Sequence, residues 1–435
     1  MASYPTLSIF IASSLLILSS FSNGKTPPKP KAFTFPIWKD DTTNQYYTTI
    51  QFGSNATTLN VGVDLGGKLL WFNSPEYFSA ADSFRPTRCG TKQCKIADGI
   101  GCVFCFLSPP APRCTNNTCS DYALNPFTGN EDYSGIGTDV LRVGSTRRAQ
   151  YKVNNFPFKY AHDALLEGLA TNLVGLIGLA RTRVSLPAHL SSAFKIREKF
   201  TLCLPSSGAN GSMIIGETAY IKPFQQISKS IRTTPLLRNP VSINGNEVIG
   251  NLTIQYFIGV KSIRVGETPL VLNQTLLSIN KRTGEGGTSI RTVRAYTSLH
   301  KSIYAALVNE FVKAAAAKNI KRVASVAPFG ACFDSKTISS TKAGPDVPTV
   351  DFVLQSKSVY WRFYGWNTMV RAGDGVMCLA FVEGQPNLSG PTTSIFVGGY
   401  QMENHLLEFD MAAEKLGFSS SLLLRDTSCN QFRAA

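Results

Sequence analysis

The sequence has few charged residues, and the two signs are unequal. Asp, Glu, Lys and Arg make up 16% of the 435 residues, against roughly 25% in an average globular protein. Together with a hydrophobic fraction of 43%, this scarcity excludes a disordered chain, which would be rich in charge and poor in apolar side chains. Only 28 residues are acidic and 43 are basic, which leaves a net charge of +15. Such a field attracts acidic partners, including nucleic acid, anionic polysaccharides and acidic enzymes.

The sequence also lacks a later hydrophobic run of about 18 residues, the length that a membrane-spanning helix needs. An apolar run near the start, residues 7–18, is shorter and is followed by small residues up to Gly24. This arrangement is typical of a secretory signal peptide, although no Lys or Arg precedes the run. We therefore expect a signal peptide over residues 1–24 and a Pro- and Lys-rich linker over residues 25–33. The protein is expected to be secreted to the extracellular space or cell wall (the apoplast), with no membrane or nucleic-acid partner.

Sites for metals and phosphates have little support. The single Cys-x-x-Cys, from Cys102 to Cys105, is not followed by the second pair that a zinc ribbon needs. Gly398-Gly399 is not followed by the Lys-Ser/Thr of a phosphate loop. The few histidines share no spacing that would suggest a metal site or a Ser-His-Asp arrangement. They are His162, His189, His300 and His405. We therefore expect no metal and no cofactor.

Cysteine, in contrast, is present in an even number, which favours disulfide bonds in a secreted chain. Six of the ten cysteines lie in one loop-rich stretch, and six cysteines allow fifteen pairings among which the sequence does not choose. The ten are Cys89, Cys94, Cys102, Cys105, Cys114, Cys119, Cys203, Cys332, Cys378 and Cys429. Asn-x-Ser/Thr sequons fit surface glycosylation. They begin at Asn55, Asn116, Asn210, Asn251, Asn273 and Asn387.

Short apolar alternations bounded by turn residues dominate the chain after the linker. They predict strands of an antiparallel β protein. Examples are residues 46–52, 59–63, 68–72, 213–215 and 256–260. Helices are few: apolar residues recur at helical spacing from about residue 297 to residue 318, and a short helix is expected over residues 186–194.

The two halves of the chain are weakly similar to each other. Residues 61–67 and 173–179 in the first half are similar to residues 288–293 and 394–399 in the second. A polar, basic stretch with few core residues separates the halves. The sequence therefore predicts an all-β, mainly antiparallel protein with a few short helices and two lobes. The expected lobes are residues 34–220 and residues 221–435.

Several motifs, in their order along the chain, resemble those of the pepsin-like aspartic proteases. Asp64 opens an Asp-x-Gly, Trp71 closes a Leu-Trp, and Phe418 ends a Leu-Gly-Phe near the C-terminus. Longer blocks are similar to one plant branch, which contains xylanase inhibitors, xyloglucan-endoglucanase inhibitors and basic seed globulins. These blocks are residues 64–71, 178–187, 327–332 and 398–403. The resemblance covers almost the whole mature chain and implies the bilobal pepsin-like fold.

The catalytic pair of such a protease is not intact in this sequence. Aspartic proteases hold a water between two carboxylates, one from each lobe, which share one proton. By the resemblance, Asp64 fills the first position and Arg291 the second, and a guanidinium cannot act as a base. Leu65 and Val293 replace further motif residues, so that Thr292 alone could supply a hydroxyl across the lobes. We expect Asp64 and Arg291 to form a buried salt bridge, because burying either charge alone is costly.

Further expectations come from the same branch. The branch has cysteines where this sequence has Ser74 and His162, and losing two partners together would keep the cysteine number even. The branch pattern implies the disulfides Cys203–Cys429 and Cys332–Cys378. Trp71 is expected to be a core residue rather than part of a binding surface.

Three functions remain open. Lys342 and Arg425 match the basic contacts of the endoglucanase-inhibitor branch, which implies a secreted inhibitor of microbial cell-wall glycoside hydrolases with a role in plant defence. Such hydrolases hold two carboxylates in an open cleft, which a basic side chain can block. Taken singly, each of these two residues could equally be a solvated loop charge. The alternatives are a storage or binding globulin for an acidic wall polysaccharide or a peptide, and an aspartic endopeptidase with residual activity.

Overall fold

The structure of this protein is a computed structural model. It describes residues 29–79, 81–105, 115–146, 149–206, 210–217, 224–242, 251–384 and 393–432. The expected signal peptide, the expected junction between residues 220 and 221, Cys114 and Asn387 lie outside the described residues.

The N-terminal half is built mostly from strands whose side chains alternate between the core and the surface. In residues 46–52, every second side chain is buried, as the apolar alternation of that segment predicts. The strands of this half are β1 (Ala32–Lys39), β2 (Tyr46–Phe52), β3 (Thr57–Asp64), β4 (Leu70–Phe72), β5 (Arg85–Pro86), β6 (Gly101–Val103), β7 (Thr118–Leu124), β8 (Glu131–Ser145), β9 (Gln150–Tyr160), β10 (Gly175–Gly178), β11 (Lys199–Cys203) and β12 (Gly211–Gly216).

The C-terminal half is also mostly β. Its strands are β13 (Arg232–Leu237), β14 (Phe257–Ile258), β15 (Ser262–Val265), β16 (Thr268–Pro269), β17 (Thr288–Ile290), β18 (Thr297–Leu299), β19 (Arg322–Val323), β20 (Cys332–Asp334), β21 (Ser340–Thr341), β22 (Gly344–Pro345), β23 (Val350–Ser356), β24 (Val359–Phe363), β25 (Met369–Gly373), β26 (Val376–Leu379), β27 (Phe381–Glu383), β28 (Ile395–Val397), β29 (Leu407–Asp410) and β30 (Lys415–Phe418).

Helices are short except for one of 17 residues in the C-terminal half. The α-helices are α1 (Pro75–Ser79), α2 (Lys92–Ile96), α3 (Leu186–Phe194), α4 (Phe224–Ser228), α5 (Gln274–Leu277), α6 (Lys301–Ala317), α7 (Gly365–Thr368) and α8 (Gly399–Met402). Single 3-10 turns cover Asp163–Leu166, Ser335–Thr337, Leu422–Arg425 and Cys429–Gln431. No helix among the described residues is long and apolar enough to cross a membrane. The prediction of a mainly β protein with few helices is confirmed.

The two halves repeat one pattern of strand pairing. In the N-terminal half, β2, β3, β10, β4 and β9 are neighbours in that order, and the successive pairs are antiparallel, parallel, antiparallel and parallel. In the C-terminal half, β14, β17, β28, β18 and β27 follow the same series of directions. The segments with similar sequences therefore occupy equivalent strands, and the internal similarity seen in the sequence is confirmed.

A single antiparallel sheet joins the two halves. Its strands lie in the order β1, β12, β11, β29, β30 and β13, so that β11 of the first half pairs with β29 of the second. Phe200 and Phe409 are opposite each other in that pair, and their rings stack with centroids 4.6 Å apart. Burial of such aromatic pairs stabilises the junction beyond the backbone hydrogen bonds.

Two boundaries differ from the expectation. The helix expected from about residue 297 begins at Lys301, because Thr297–Leu299 pairs with β27 and β28 and the His300 ring accepts a hydrogen bond from the Ser302 N–H. Strand β1 begins at Ala32, inside the range expected for the linker, and pairs there with β12. Both differences come from tertiary pairing, which local propensity does not report. Helix α3 coincides with its predicted range.

Candidate functional site

The backbone brings Asp64 and Arg291 to equivalent places in the two halves. Asp64 is the last residue of β3, and its carbonyl accepts hydrogen bonds from the N–H groups of Leu179 (2.8 Å) and Gly67 (3.2 Å). Arg291 directly follows β17, and its N–H donates to the Val397 carbonyl of the parallel neighbour β28 (2.9 Å). Each residue therefore stands at the end of a central strand, beside the parallel neighbour of that strand.

The Asp64 carboxyl group is buried. Its residue is 6% exposed, and its Oδ1 accepts a hydrogen bond of 2.7 Å from the Gly66 N–H. Burial raises the pKa of this carboxyl, while the Arg291 charge and the backbone donors act in the opposite direction and only partly offset the rise. The ionised form of Asp64 is thus less favourable in this site than in water.

The Arg291 guanidinium lies beside that carboxyl and above Gly66. Its Nη1 is 2.0 Å from the position that a Cβ on Gly66 would take, and Asp64 Oδ1 is 3.4 Å from the same position. The guanidinium carbon is also 5.7 Å from the centroid of the Phe396 ring. The Arg291 charge therefore acts on the buried Asp64 carboxyl, and the guanidinium fills the space that Gly66 leaves open. The salt bridge expected between the two side chains stays a prediction.

Hydrogen bonds of Thr292 join the two halves on one side of this site. The Thr292 hydroxyl donates to the Val63 carbonyl and accepts from the Leu65 N–H (3.1 Å). Leu65, at the corresponding position of the first half, is fully buried in the core and has no hydroxyl to return the contact. The link predicted for Thr292 is present, and its reciprocal is missing because of the side chain at position 65.

A small cavity lies beside Asp64. The cavity that touches Asp64 has a volume of about 10 Å³, close to the lower limit for one water molecule. Its walls include Trp71, Lys159 and, from β7, Tyr122. Trp71 is 5% exposed and packs with apolar neighbours, as a core residue would.

Lys159 contacts both strands of a hairpin that borders this cavity. The hairpin is formed by residues 118–145 and is named here the flap hairpin. The Lys159 ammonium donates to the carbonyl of Asp121 on β7 and to that of Asp132 on β8, the second at 3.2 Å. Lys68 adds an ion pair of 2.6 Å with the Asp121 carboxylate. Lys159 is completely buried, and burial lowers its pKa to about 8. The sequence analysis missed Lys159, since nothing in its local pattern differs from an ordinary strand residue.

The residues matched to inhibitory contacts lie together on another exposed surface. Lys342 stands in the turn between β21 and β22, and its Nζ is 2.9 Å from each carboxylate oxygen of Asp426. Asp426 directly follows Arg425, an exposed residue whose guanidinium contacts the Ser230 hydroxyl at 3.5 Å. Sequence analysis located Lys342 and Arg425 but missed Asp426, which already neutralises the lysine.

The disulfides agree with the expected framework. The two pairs implied by the branch, Cys203–Cys429 and Cys332–Cys378, are present. In the crowded stretch, the sequence left the pairing open, and the structure gives Cys89–Cys102 and Cys94–Cys119, with Cys105 also disulfide-bonded.

Ser74 and His162, which replace the two branch cysteines, lie on neighbouring chain segments. They follow Phe72 and Tyr160, which are opposite each other in the parallel pair of β4 and β9. Side-chain hydrogen bonds join the same segments: the Tyr160 hydroxyl donates to the Asn73 amide oxygen at 2.8 Å. The segments that carry positions 74 and 162 are therefore neighbours, as a disulfide between cysteines at these positions would require.

The sequons stay a prediction. Among the described ones, Asn55, Asn116, Asn251 and Asn273 are exposed, and Asn210 is half-buried. The Asn273 side chain caps helix α5 by accepting a hydrogen bond from the Thr275 N–H.

The histidines differ in their surroundings. His405 is fully buried and its pKa is lowered to about 4 by burial, whereas the His162 side chain is 76% exposed. Over the part of the chain that the structure describes, no three His, Cys, Asp or Glu residues come together as a metal site.

Family comparisons cover both halves of the chain. The family described as "Xylanase inhibitor N-terminal" matches residues 46–217, and the family described as "Xylanase inhibitor C-terminal" matches residues 255–420. The expected junction between the lobes lies in the gap between these two matches.

Similar proteins align over nearly the full length. A protein of Nicotiana benthamiana named "Probable aspartic proteinase GIP2" is 42% identical over 98% of this chain and 97% of its own. "Gamma conglutin 1" of Prunus dulcis is 33% identical over 98% of this chain and 96% of its own.

Solved structures agree with these relatives. The crystal structure of edgp superposes with a TM-score of 0.89 at 42% identity, covering 94% of this chain and 99% of that one. Basic 7S globulin from soybean gives a TM-score of 0.78 at 29% identity, covering 93% and 100%. An aspartic proteinase from Irpex lacteus, 14% identical with a TM-score of 0.58 over 91% of this chain and 99% of its own, shares the fold. The chain therefore belongs to the xylanase-inhibitor family of aspartic-proteinase-like proteins, together with the gamma conglutins and basic 7S globulins.

Proposed function

We propose that this protein inhibits microbial cell-wall glycoside hydrolases of the endoglucanase or xylanase type and does not act as a protease. The observation that carries the proposal is the exposed surface on which Arg425 lies next to the Lys342–Asp426 ion pair. Family membership supports a protein partner of the hydrolase class. An arginine inserted between two catalytic carboxylates would block a hydrolase through charge-assisted hydrogen bonds.

Loss of proteolysis follows from the chemistry around Asp64. A lone buried carboxyl beside a guanidinium cannot share a proton with a second carboxyl, and the arginine cannot accept a proton from water. Asp64 is thus a retained structural residue in this proposal, and Arg291 occupies the second acid's place.

Arg425 is the expected anchor of the inhibitory surface. Its described hydrogen bond, to Ser230, is long at 3.5 Å, so that its guanidinium donors remain available to a partner. The nearby disulfide Cys203–Cys429 tethers the segment and limits the entropy lost when the side chain is fixed. Lys342 is a weaker candidate, because a hydrolase carboxylate would have to compete with Asp426 for its ammonium.

The test is inhibition titration against a panel of fungal endoglucanases and xylanases at two salt concentrations. Arg425→Ala should weaken binding by about 2–4 kcal/mol, the range for losing one partner of a buried charged contact. Lys342→Ala should cost less, and Asp426→Asn should strengthen binding because it releases the lysine. Arg183→Ala, which removes an exposed arginine of the N-terminal half, is the matched control. If no hydrolase is inhibited, or if Arg425→Ala inhibits as the parent does, the proposal is wrong.

A second candidate is a storage or binding globulin for an acidic polysaccharide or a peptide. It is favoured by the relatives named gamma conglutin and basic 7S globulin and by the net charge of +15. If this second candidate is correct, the parent protein should inhibit no hydrolase of the panel, even though it is folded and stable.

We further propose that the protein is secreted to the cell wall as a glycoprotein. The support is the apolar run at residues 7–18, the disulfide framework and the exposed sequons. Mass spectrometry of protein recovered from extracellular fluid tests both points. An N-terminus upstream of residue 24, or unmodified asparagines at every sequon, would contradict them.

A further inference from the structure

Three arginines from three strands surround one tyrosine ring on the C-terminal half. The guanidinium carbons of Arg232, Arg264 and Arg362 lie 4.9, 4.8 and 4.9 Å from the centroid of the Tyr360 ring. Strand β13 carries Arg232, β15 carries Arg264, and β24 carries Arg362 together with Tyr360. These four residues are named here the arginine–tyrosine cluster. Such distances are within the range of cation–π attraction, which holds the guanidiniums around the ring.

Asp351 on β23 fixes two of the three arginines. It lies directly between them in the sheet, opposite Arg264 on one side and Arg362 on the other. Its carboxylate, fully buried, accepts from Arg264 at 2.6 Å and from Arg362 at 2.7 and 2.8 Å. The bidentate contact with Arg362 fixes the orientation of its planar guanidinium. The cations are therefore arranged in advance, which lowers the entropy cost of binding a ligand.

Positive charge is in excess at this place. Asp351 balances one of the three arginines, and Glu267, 3.7 Å from Arg362 and 85% exposed, screens weakly. The exposed Lys357 adds charge in the turn between β23 and β24. Arg232 is itself exposed, and its described hydrogen bond goes to the Ser358 carbonyl at 3.2 Å. A carboxylate ligand would relieve the mutual repulsion of these cations.

The neighbouring groups indicate what kind of anion fits. The same turn exposes the hydroxyls of Ser356 and Ser358, which lie 3.0 Å apart beside the cations. Arg264 and Arg362 lie on strands β15 and β24 of one four-stranded sheet, and Arg232 comes from a strand of another sheet, so that the cations are spread over a surface that an extended chain can follow. A sugar acid presents a planar carboxylate for a guanidinium together with hydroxyls for the serines.

We propose that the arginine–tyrosine cluster binds a polyanionic saccharide whose sugar units carry carboxylates. The site extends toward the proposed inhibitory surface, because Arg425 contacts Ser230, two residues before Arg232. The ligand and the contact residues of the arginine–tyrosine cluster differ from those of the proposed inhibitory surface. Binding of the polymer is thus separate from inhibition.

The experiment measures binding of the full protein to polygalacturonate by calorimetry at low salt, with no hydrolase present. Arg232→Gln should weaken binding about three- to five-fold, corresponding to the upper range for an exposed charge contact. Arg238→Gln is the matched control, because Arg238 follows the same strand, is exposed, carries the same charge and pairs with Glu414 at 3.1 Å. Its effect should stay below about two-fold. Tyr360→Phe should bind as the parent does, and Tyr360→Leu should bind more weakly because the ring is lost.

Fully methyl-esterified polymer should bind at least about five-fold more weakly, because its carboxylates are masked. Equal losses in Arg232→Gln and Arg238→Gln would mean that net charge alone attracts the polymer, and the proposal would be wrong. Equal binding of the esterified polymer would also overturn it. If Arg232→Gln reduces binding to an acidic hydrolase while polygalacturonate fails to bind the parent, the cluster is a protein interface instead. Since the polymer assay contains no hydrolase, failure of the inhibitory function would leave its outcome unchanged.

Discussion

The turn after β3 and the turn after β17 have the same backbone setting and opposite side-chain chemistry. One holds a buried carboxyl and two glycines, whereas the other holds a guanidinium followed by Thr292 and Val293. In each half, the central strand that precedes the turn runs parallel to its neighbour. The backbone framework of the site therefore does not depend on a pair of acids. It depends on close backbone packing, which both halves have kept.

The asymmetry also explains which glycine is needed. Gly66 faces the Arg291 guanidinium, and a side chain there would collide with it at 2.0 Å. Val293 stands at the corresponding position of the second half. Glycine is therefore needed at position 66, where the guanidinium from the other half lies.

The largest expected effect would come from breaking the packing that the halves share. A Cβ on Gly178 would lie 2.4 Å from the Gly67 carbonyl oxygen, and one on Gly398 would lie 2.3 Å from the Tyr296 carbonyl carbon. Because backbone cannot move aside as a flexible side chain does, Gly178→Ala and Gly398→Ala should each lower the free energy of unfolding by about 3 kcal/mol or more. Urea denaturation measures this. Gly144→Ala, whose nearest atom would be 3.9 Å away, is the control and should cost less than about 1 kcal/mol.

Removing the cation should have the next largest effect. Arg291→Ala leaves the buried Asp64 carboxylate without its compensating charge and should lower the free energy of unfolding at pH 7 by about 2 kcal/mol. The loss should shrink by about pH 3, where Asp64 is protonated. Urea denaturation at the two pH values measures it. The double variant Asp64→Asn/Arg291→Ala should recover most of the stability at pH 7, and a loss independent of pH would contradict the electrostatic account.

A smaller effect is expected when the acid itself is neutralised. Because the pKa of Asp64 is raised on folding, the folded state keeps its proton to higher pH than the unfolded state. Stability of the parent should therefore be greatest below about pH 4 with respect to this group and should fall as pH rises toward the folded-state pKa. Asp64→Asn should remove this decline and be more stable than the parent at pH 7. Denaturation midpoints across pH 3–8 test it; parallel profiles for the two proteins would rule it out.

Restoring the second acid should have no measurable effect on proteolysis. Arg291→Asp recreates two carboxyls, but Leu65 still lacks the hydroxyl and Val293 still replaces glycine. Cleavage of a fluorogenic peptide should stay at the background seen with the parent and with Asp64→Asn. Pepstatin-sensitive cleavage by Arg291→Asp would show that the missing acid alone had silenced the site.

Features with a local or repeated pattern could be predicted from the sequence. Strand β2 shows alternation over its whole length, and α3 shows a Pro-containing first turn after Ser185. The similarity between the segments that form β3 and β17 is enough to assign Asp64 and Arg291 to equivalent turns.

Contacts between distant residues could not be predicted in this way. The Lys342–Asp426 ion pair joins residues 84 positions apart, and Lys159 contacts carbonyls 38 and 27 positions away. The start of α6 depends on the pairing of β18 with two later strands. No window of local sequence carries that information, because each contact depends on how the whole chain folds.

Lys159 combines high intrinsic reactivity with complete protection. An amine whose pKa is about 8 is largely a free nucleophile in mildly alkaline solution, whereas an ordinary lysine with a pKa of about 10.4 is almost entirely protonated there. Yet its side chain is fully buried, and its ammonium donates to carbonyls on both strands of the flap hairpin, so that an acylating reagent reaches it only when these contacts open. The rate at which Lys159 is acylated would therefore report how often these contacts open, with the exposed lysines of the same molecule as the internal reference.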